Sequence, residues 1–400
     1  MDVRGDGPVK GRSGVLFIGV DCDILNGMGQ EHTTVAVLGN PAADKGRGAK
    51  IGVQVMDLLE MAGARYGFDV VDLTGASFDD SLRRAHSASG SYDYLVVVGG
   101  DGMIALGANA VGSSGTPLGI VAIGSGNDFA RGLKLPIDRV EVAVEGIVGA
   151  IVHGSHSDVD MGYVVSLPGG WAVDPTTGDE LSEDGLPGSA SIRRFYAGML
   201  SCGLDARIND RANHSRLPSG KLRYLSAVLA ELTHMKRYGY HVRAVLADGG
   251  VDERDIISPM LTVANSRHIG GGLEVSPYSR FADGLLDLVW LDHMPNPREC
   301  VEAISKAYGD RLLSCRCFGW QRVRSVEITR ADRGDEPPVL MADGEYVGHL
   351  PVAVAAEGCA LRVLVPPAVA IEEDERCEER IDDLIARDGR DARTGAFLRR

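Results

Sequence analysis

The segment YDYLVVVGGDG, residues 92–102, is a run of large apolar residues that ends abruptly in glycines around one aspartate. Such a run is typical of a strand in a parallel sheet, because helices cover both of its faces. The segment PLGIVAIGSGNDFAR, residues 117–131, repeats the pattern, with the glycines of GSGN directly after an apolar run. Both segments predict a strand that turns sharply into a helix.

Two further strand and helix pairs precede these segments, namely strands at residues 33–38 and 69–73 and helices at residues 51–64 and 77–88. Strands that alternate with helices form a parallel sheet with helices on both faces. Ligands of such sheets lie at the carboxyl ends of the strands. Three Gly-rich turns are expected at that edge, at residues 40–50, 99–102 and 124–127. We therefore predict a Rossmann-like α/β domain over residues 33–153.

The second half of the chain has a different pattern. Short alternating runs occur at residues 158–165, 195–204, 240–246, 258–264, 285–290, 325–328, 351–354 and 361–365. Runs of this length between turns are typical of an antiparallel β-sandwich, which we predict over residues 154–368. One helix, at residues 221–236, interrupts the strands. Residues 168–189 are rich in Gly, Pro and acids, which predicts a surface insertion.

Both ends of the chain lack a sustained apolar pattern. Residues 1–32 are interpreted as an N-terminal extension. The apolar run at residues 14–20 is too short to span a membrane, and no small-residue cleavage site of a signal peptide follows it. Residues 369–400 form a charged tail with few large apolar side chains, which predicts an exposed helix or disorder.

The composition disfavours several classes of protein. The 400 residues carry 41 Lys and Arg against 56 Asp and Glu, a formal net charge of −15. Nucleic-acid binding is not expected, because neutralising phosphates needs basic surface. The same charge disfavours a constitutive electrostatic anchor at an anionic membrane. Seven scattered cysteines without a C-x-x-C pair predict reduced thiols rather than a disulfide frame or a zinc site.

The turn GGDG, residues 99–102, suits a polyphosphate. Glycines let the backbone approach such a ligand closely, and the N–H groups of the turn can hold the anion. Asp101 would repel phosphate unless a cation lay between them, so it implies Mg²⁺. The alternative is a plain tight turn with a solvated Asp101.

The turn GSGN, residues 124–127, opens a helix. Ser125 can offer its hydroxyl to a phosphate, and a helix N-terminus favours negative charge. Asn127 and Asp128 suit simple helix capping equally well. Two common nucleotide signatures are missing from the sequence: no turn has the G-x-G-x-x-G pattern of a dinucleotide site, and the G-K-[ST] of a Walker A loop does not occur.

Taken together, the three turns resemble the catalytic domain of the diacylglycerol kinase and sphingosine kinase superfamily, and most of all its bacterial soluble lipid kinases. The first-half motifs are Asn40-Pro41 with KGRG at residues 45–48, GGDG, and GSGNDFAR at residues 124–131. The second-half motifs are Arg194-Phe195, GLDA at 203–206, Asn265, GGG at 270–272, Pro277, DGLLD at 283–287 and DGE at 343–345. The resemblance covers roughly residues 33–367.

The resemblance implies transfer of the γ-phosphoryl group of ATP to a lipid hydroxyl, in a cleft between a nucleotide-binding domain and the sandwich. It implies that Glu345 is the general base and that Asp101 holds the triphosphate with Mg²⁺. Asp283 matches an acid linked to a Mg²⁺ site in the bacterial members. The other residues implied on the nucleotide side are Asn40, Lys45, Thr74, Gly99, Gly100, Gly102, Met103, Ser125 and Asn127.

The sequence also departs from the family's pattern. Met103 stands where a Thr is usual after GGDG, Leu106 stands where many members have Glu, and Ala43-Asp44 replaces a small residue and a Gly. These departures leave a catalytically weak nucleotide-binding homologue as one alternative. A sphingosine- or ceramide-type lipid kinase and an NAD-kinase-like enzyme are the others.

The expected reaction is phosphorylation of diacylglycerol to phosphatidic acid. The expected partners are the lipid substrate, diacylglycerol or a sphingoid-like lipid, and transiently the inner face of the membrane, reached from the cytoplasm. A homodimer formed through an edge strand of the sandwich is left open.

Overall fold

The structure of the chain is a computed structural model that describes residues 33–40, 47–183, 186–215, 217, 220–367, 369 and 381–398. The predicted N-terminal extension, residues 1–32, lies outside the described residues, and so does Lys45 of the first Gly-rich turn. Within the described ranges, the helices are all too short or too polar to cross a membrane.

The first half of the chain forms a four-stranded parallel sheet with helices on both faces. Its elements are β1 (Thr33–Gly39), α1 (Arg47–Tyr66), β2 (Phe68–Asp72), α2 (Phe78–Ser87), β3 (Tyr94–Gly99), α3 (Asp101–Val111), β4 (Leu118–Ala122), α4 (Asp128–Gly132) and α5 (Val140–His153). The strands lie side by side in the order β2-β1-β3-β4. The α/β fold predicted for this half is confirmed.

Apolar residues on both faces of this sheet explain its burial. α1 and α5 cover one face, where Leu59 and Ile147 pack against Val96 of β3. α2 and α3 cover the other face, where Leu106 packs in one cluster with Leu95. Because the strands are parallel, the turns that follow β1, β3 and β4 all lie at the same edge of the sheet.

The second half contains most of the strands. Its elements are β5 (His156–Ser166), β6 (Ser182–Glu183), β7 (Leu186–Pro187), β8 (Arg193–Tyr196), β9 (Met199–Ser201), α6 (Leu204–Asn213), α7 (Gly220–Leu232), β10 (Tyr238–Leu246), β11 (Val251–Ser258), β12 (Leu261–Ala264), β13 (His268–Ile269), β14 (Leu273–Glu274), β15 (Leu286–Leu291), α8 (Pro297–Lys306), β16 (Phe318–Arg330), β17 (Leu340–Ala342), β18 (Glu345–Gly348), β19 (Val352–Leu364) and α9 (Ile381–Arg387). Apart from the contact of β19 with β4, these strands pair antiparallel around a core that includes Tyr240, Val263, Leu288 and Val326. The predicted sandwich is confirmed.

The long strand β19 connects the two halves. It pairs antiparallel with β5 and β16, and near its end Val363 pairs in parallel with Leu118 of β4. A single sheet of 15 strands therefore runs through both halves. The strands predicted at residues 351–354 and 361–365 are the two ends of β19, which is irregular between Glu357 and Leu361.

Two predictions about local structure are wrong. A strand through residues 195–204 does not form, because β9 ends at Ser201 and α6 begins at Leu204. The expectation of one helix among these strands is also wrong, since α6 and α8 accompany α7. Four of the eight residues of β11 (VDERDIIS) are charged. They suit a strand that pairs with β10 alone among the described strands and is exposed along much of its length.

The predicted surface insertion, residues 168–189, is partly built into the sandwich. Ala172 and Val173 are buried, and Ala172 pairs with Gly348 of β18. The backbone N–H of Tyr346 donates to the carbonyl of Pro175 at 3.0 Å. The prediction of a surface insertion is therefore wrong for this part of the segment, which packs beside β18.

The described part of the C-terminal tail, residues 381–398, packs against the sandwich. Ile385 of α9 is only 1% exposed. The guanidinium of Arg390 is buried and donates to the carbonyls of Leu313, Gly395 and Phe318 at 2.6, 2.7 and 2.6 Å. The prediction of an exposed helix or disorder is wrong here, because the buried Ile385 and the charge-assisted hydrogen bonds of Arg390 anchor the segment to the sandwich.

Candidate active site

A cavity of about 1020 Å³ lies between the two halves of the chain. Residues of the three Gly-rich turns line one side of it, and the turn between β17 and β18 lines the other. The predicted site residues that reach this cavity are Asn40, Gly100, Asp101, Gly102, Met103, Ser125 and Glu345. The structure thus brings residues together that are more than 300 positions apart in the sequence.

The turns GGDG and GSGN touch each other through their backbones. A Cβ built on Gly124 would lie 2.3 Å from the Cα of Gly100, and one built on Gly100 would lie 2.9 Å from the Cα of Gly124. Only glycine fits at both positions, since real Cβ atoms do not approach so closely. The contact fixes two backbone turns side by side at the carboxyl ends of β3 and β4.

Asn127 holds the second turn in shape. Its side-chain oxygen accepts from the N–H of Gly124 at 2.9 Å, and its side-chain amide donates to the carbonyl of Gly124 at 2.7 Å. Its own φ is 57°, a left-handed conformation that asparagine tolerates better than most residues. Asn127 does not line the cavity, so its contacts make it a positioning residue of the turn.

The Asp101 carboxylate lies between the two turns. Its Oδ1 accepts from the backbone N–H of Asp128 at 2.8 Å, and its Oδ2 lies 2.5 Å from where a Cβ on Gly126 would stand. Burial, followed by the charges of Asp128 and Asp343, raises the pKa of Asp101 to about 7. A cation placed beside this carboxylate would therefore bind more tightly as the proton leaves.

A tight hairpin presents DGE from the opposite wall. Asp343 and Gly344 have φ values of 51° and 86° and form the two-residue loop between β17 and β18, as a type I′ turn requires. The Asp343 carboxylate accepts from the backbone N–H groups of residues 197, 198 and 199 at 2.8, 2.8 and 3.2 Å. Asn213 of α6 donates to the carbonyl of Gly344 at 2.7 Å. These bonds fix the position of the next residue, Glu345.

The Glu345 side chain reaches across the cavity to the GGDG turn, residues 99–102. Its Oε1 lies 2.7 Å from where a Cβ on Gly102 would stand. Burial raises the pKa of Glu345, the guanidinium of Arg194 lowers it, and Asp343 raises it further. Arg194 also donates to the carbonyl of Tyr346 at 3.0 Å. A carboxylate with a raised pKa, facing a cavity, is suited to accept a proton near neutral pH.

The two halves of this site each match a known family model. Residues 34–164 match the diacylglycerol kinase catalytic domain, and residues 198–365 match the YegS C-terminal NAD kinase beta sandwich-like domain. Together the two models span both walls of the cavity. The chain belongs to the family of diacylglycerol kinases and YegS-like lipid kinases.

Individual members of this lipid kinase family cover most of the chain. A protein of Mycobacterium tuberculosis H37Rv named diacylglycerol kinase is 27% identical over 335 residues, which are 83% of this chain and 95% of that protein. The diacylglycerol kinase of Bacillus subtilis 168 is 23% identical over 79% of this chain and 90% of its own length. A crystal structure of a diacylglycerol kinase from Bacillus anthracis Sterne covers 84% of this chain and 98% of its own, with a TM-score of 0.56 at 16% identity. That last likeness shows the fold.

Some residues that the lipid kinase resemblance implied do not reach the cavity. Thr74 accepts from the N–H of Gly39 at 2.9 Å and so lies behind the first turn. The Cα of Gly99 packs against the Met103 side chain, where a Cβ would come within 2.4 Å of its Cγ. Lys45 lies outside the described residues.

Asp283 also lies away from the cavity. Its Oδ2 accepts from Arg322 at 2.7 Å, and burial raises its pKa to about 6 while Arg322 opposes that rise. Within the described ranges, no three His, Cys, Asp or Glu side chains are grouped to hold a metal ion. In this chain, the Asp283 carboxylate therefore forms an ion pair with the Arg322 guanidinium.

Other cavity residues were not singled out from the sequence. Asp128 lines the cavity and accepts from the N–H of Gly271 at 2.8 Å. Arg223 and Tyr224 of α7 and His268 of β13 also line the cavity. Asp128 belongs to the GSGNDFAR motif, which could have identified it. Nothing in the sequence around Arg223 marks it, because its place depends on how α7 packs.

Proposed function

We propose that the chain catalyses ATP-dependent transfer of a phosphoryl group to a lipid hydroxyl, with diacylglycerol as the acceptor and phosphatidic acid as the product. The observation that carries the proposal is the approach of Glu345 to the GGDG turn across one cavity. A base and a phosphate-binding turn on opposite walls suit a reaction that needs positioning and charge neutralisation. The names of the relatives from Mycobacterium tuberculosis and Bacillus subtilis support diacylglycerol as the acceptor.

The residues of the two Gly-rich turns fit a triphosphate. Gly100 and Gly124 line the cavity and, having no side chains, let the two turns lie side by side there. Ser125 is exposed at the same place with its hydroxyl. Asn40 and, from the sequence, Lys45 belong to the neighbouring turn. Backbone N–H groups, a hydroxyl and a lysine are the groups that commonly hold phosphates.

The acidic residues beside these turns fit Mg²⁺ held together with phosphate. Asp101 and Asp128 are neighbours, and among the described residues the buried Oδ1 of Asp128 accepts no hydrogen bond and has the Nε of Arg131 at 3.8 Å. Mg²⁺ is usually held by one or two carboxylates, substrate phosphates and waters rather than by a full protein cage. Asp101 and Asp128 would hold the ion, which would neutralise the charge of the phosphate oxygens.

Glu345 would act on the acceptor. The lipid hydroxyl oxygen attacks the γ-phosphorus, its proton passes to the Glu345 carboxylate, and the bond from the γ-phosphorus to the bridging oxygen breaks to release ADP. The three N–H groups on Asp343 and the contacts of Arg194 keep Glu345 in position. Because the acceptor is a bilayer lipid, transient contact with the inner face of the membrane is part of the same proposal.

The test is a phosphoryl-transfer assay on the purified full chain with Mg²⁺ and labelled ATP. Diacylglycerol, sphingosine, ceramide and NAD are offered separately, and labelled products are resolved by chromatography. Phosphatidic acid as the main product supports the proposal. Labelled phosphosphingosine or phosphoceramide would show that the acceptor is that lipid and not diacylglycerol. Labelled phosphorylated NAD would favour an NAD-kinase-like enzyme. Nucleotide binding without any product would leave a catalytically weak homologue.

A further inference from the structure

The helix α7 has two contrasting faces beside the cavity. Arg223 and Tyr224 line the cavity, and Tyr224 and Ala227 are buried against α6. On the opposite side Leu222, Leu225 and Leu229 are 52%, 40% and 54% exposed. Their spacing of three and four residues places them in one stripe along the helix. This leucine stripe, Leu222, Leu225 and Leu229, therefore faces away from the fold next to the cavity wall.

The chain around the leucine stripe is basic, although the whole protein is acidic. Residues 204–237 contain seven Lys and Arg against three Asp and Glu, in a chain whose net charge is −15. Two of the three acids, Asp205 and Glu231, are buried. The Glu231 carboxylate is shared by Arg207 and Arg211 at 2.7 and 2.5 Å, which leaves one of their two positive charges uncompensated. The Arg207 and Arg211 pairs lie on the α6 side of α7, since Glu231 follows the buried Ala227 by four residues. The segment as a whole nevertheless has an excess of four positive charges in its sequence, seven bases against three acids.

We propose that α7 docks onto an anionic lipid bilayer, with the leucine stripe entering the interface and the positive charge of residues 204–237 drawing the segment to the headgroups. Exposed apolar side chains combined with basic residues are what interfacial helices use to bind anionic membranes. The proposal rests on the proposed function for its purpose: the docked helix would bring the lipid hydroxyl to the wall formed by Arg223 and Tyr224. It also reconciles an acidic protein with a membrane substrate.

The same charges disfavour a second copy of this chain as the occupant. Pairing two α7 helices across a two-fold axis would bring two segments of net positive charge together, and like charges near an interface cost binding energy. An anionic bilayer offers an apolar interior to the leucines and negatively charged headgroups to the bases.

The test uses flotation of the full chain with vesicles, without ATP and without diacylglycerol, so that binding is read independently of catalysis. Vesicles of phosphatidylcholine alone are compared with vesicles that also contain phosphatidylglycerol, at low and high salt. The test variant is Leu225→Glu with Leu229→Glu. The matched control is Met61→Glu, at a side chain of α1 that is 69% exposed; α1 packs on the face of the parallel sheet opposite to α2 and α3. Thermal unfolding checks that both variants fold.

The wild type and Met61→Glu are expected to bind the anionic vesicles, and the leucine variant to bind at least about tenfold less. High salt should weaken wild-type binding. The proposal is overturned if wild type fails to bind, if the leucine variant binds as well as wild type, or if phosphatidylglycerol makes no difference. It is also overturned if the leucine variant turns a wild-type dimer into a monomer with vesicle binding unchanged. A folded chain that binds vesicles through α7 but phosphorylates no lipid would contradict the proposed function and leave the docking surface in place.

Discussion

The Oε1 atom of Glu345 lies 2.7 Å from the position that a Cβ on Gly102 would occupy. Gly102 is the last residue of GGDG and lies in the first turn of α3, whereas Glu345 opens β18. The missing side chain of Gly102 is therefore the space in which the Glu345 carboxylate lies. Gly102 has an ordinary helical backbone, so its role in the site is steric: it leaves room for the Glu345 carboxylate.

Gly102→Ala should displace Glu345 without harming the fold. The backbone of Gly102 is helical, so alanine fits it and should even favour α3 by about 0.5–1 kcal/mol. Lipid kinase turnover is expected to fall by a factor of about 10 to 100, because a small shift of a base is costly. Gly52→Ala on α1, where a Cβ meets nothing within 4 Å, is the control and should keep full activity. Normal kcat in Gly102→Ala would contradict the steric role.

Glu345→Gln should abolish turnover and leave nucleotide binding nearly intact. Glutamine keeps the size of the side chain but cannot take the proton of the acceptor hydroxyl, so kcat should fall by about 10²- to 10⁴-fold. The affinity for Mg-ATP, measured by calorimetry, should change by less than about threefold. Glu357→Gln on the exposed part of β19 is the matched control. A large loss of ATP affinity would mean that Glu345 contributes to nucleotide binding and is not the general base.

The rate should fall on the acid side of pH 7. Burial raises the pKa of Asp101 to about 7, so below that pH the carboxyl is protonated and holds a cation poorly. Mg²⁺ binds the ionised form and should therefore move the acid limb to lower pH as its concentration rises. Profiles of kcat/KM for ATP against pH, at two Mg²⁺ concentrations, make the comparison. An acid limb that stays fixed when Mg²⁺ is raised would argue against Asp101 as its origin.

Asp205→Asn should flatten the dependence of stability on pH. Burial raises the pKa of Asp205 to about 6, above its unfolded value of 3.8. The folded state thus binds the extra proton, and this contribution to stability is present below about pH 4 and is lost as pH rises to about 6. The variant should lack that loss, which amounts to about 3 kcal/mol. Urea unfolding at pH 4 and pH 7 measures the difference; parallel stability changes in both proteins would refute this assignment.

Arg390→Ala should destabilise the sandwich. The substitution leaves three buried carbonyls, those of Leu313, Gly395 and Phe318, without the donors that Arg390 supplies. Each lost bond costs about 1 kcal/mol or more, so the free energy of unfolding should fall by about 3 kcal/mol. Arg393→Ala, at a side chain that is 73% exposed, should change it by less than about 0.5 kcal/mol. Equal effects of the two variants in urea unfolding would mean that the C-terminal segment does not support the sandwich.

Much of the fold follows from local patterns in the sequence. β3 and β4 are apolar runs closed by glycines, and α2 begins next to Ser77, whose hydroxyl accepts from the N–H of Asp80. Such signals depend on neighbours in the chain, and they therefore locate strands, helices and turns well.

The parts that escape prediction depend on contacts between distant segments. α6 has few apolar residues, and its position is set by contacts such as that of Asn213 with Gly344. The C-terminal segment reads as a polar tail because the partners of Arg390 lie more than 70 residues away for two of its three bonds. In the candidate site, the motifs identified Asp101 and Glu345, but only the packing of α7 brings Arg223 to the wall.

The pairing of β19 with β4 has a consequence for biosynthesis. β4 is at the edge of the parallel sheet until Val363 joins Leu118, and Val363 is synthesised 245 residues after Leu118. An unpaired strand edge is open to other chains during that time. The nascent protein therefore completes its first-half sheet late in synthesis, and stalled or truncated translation products that lack β19 would keep the β4 edge open to aggregation.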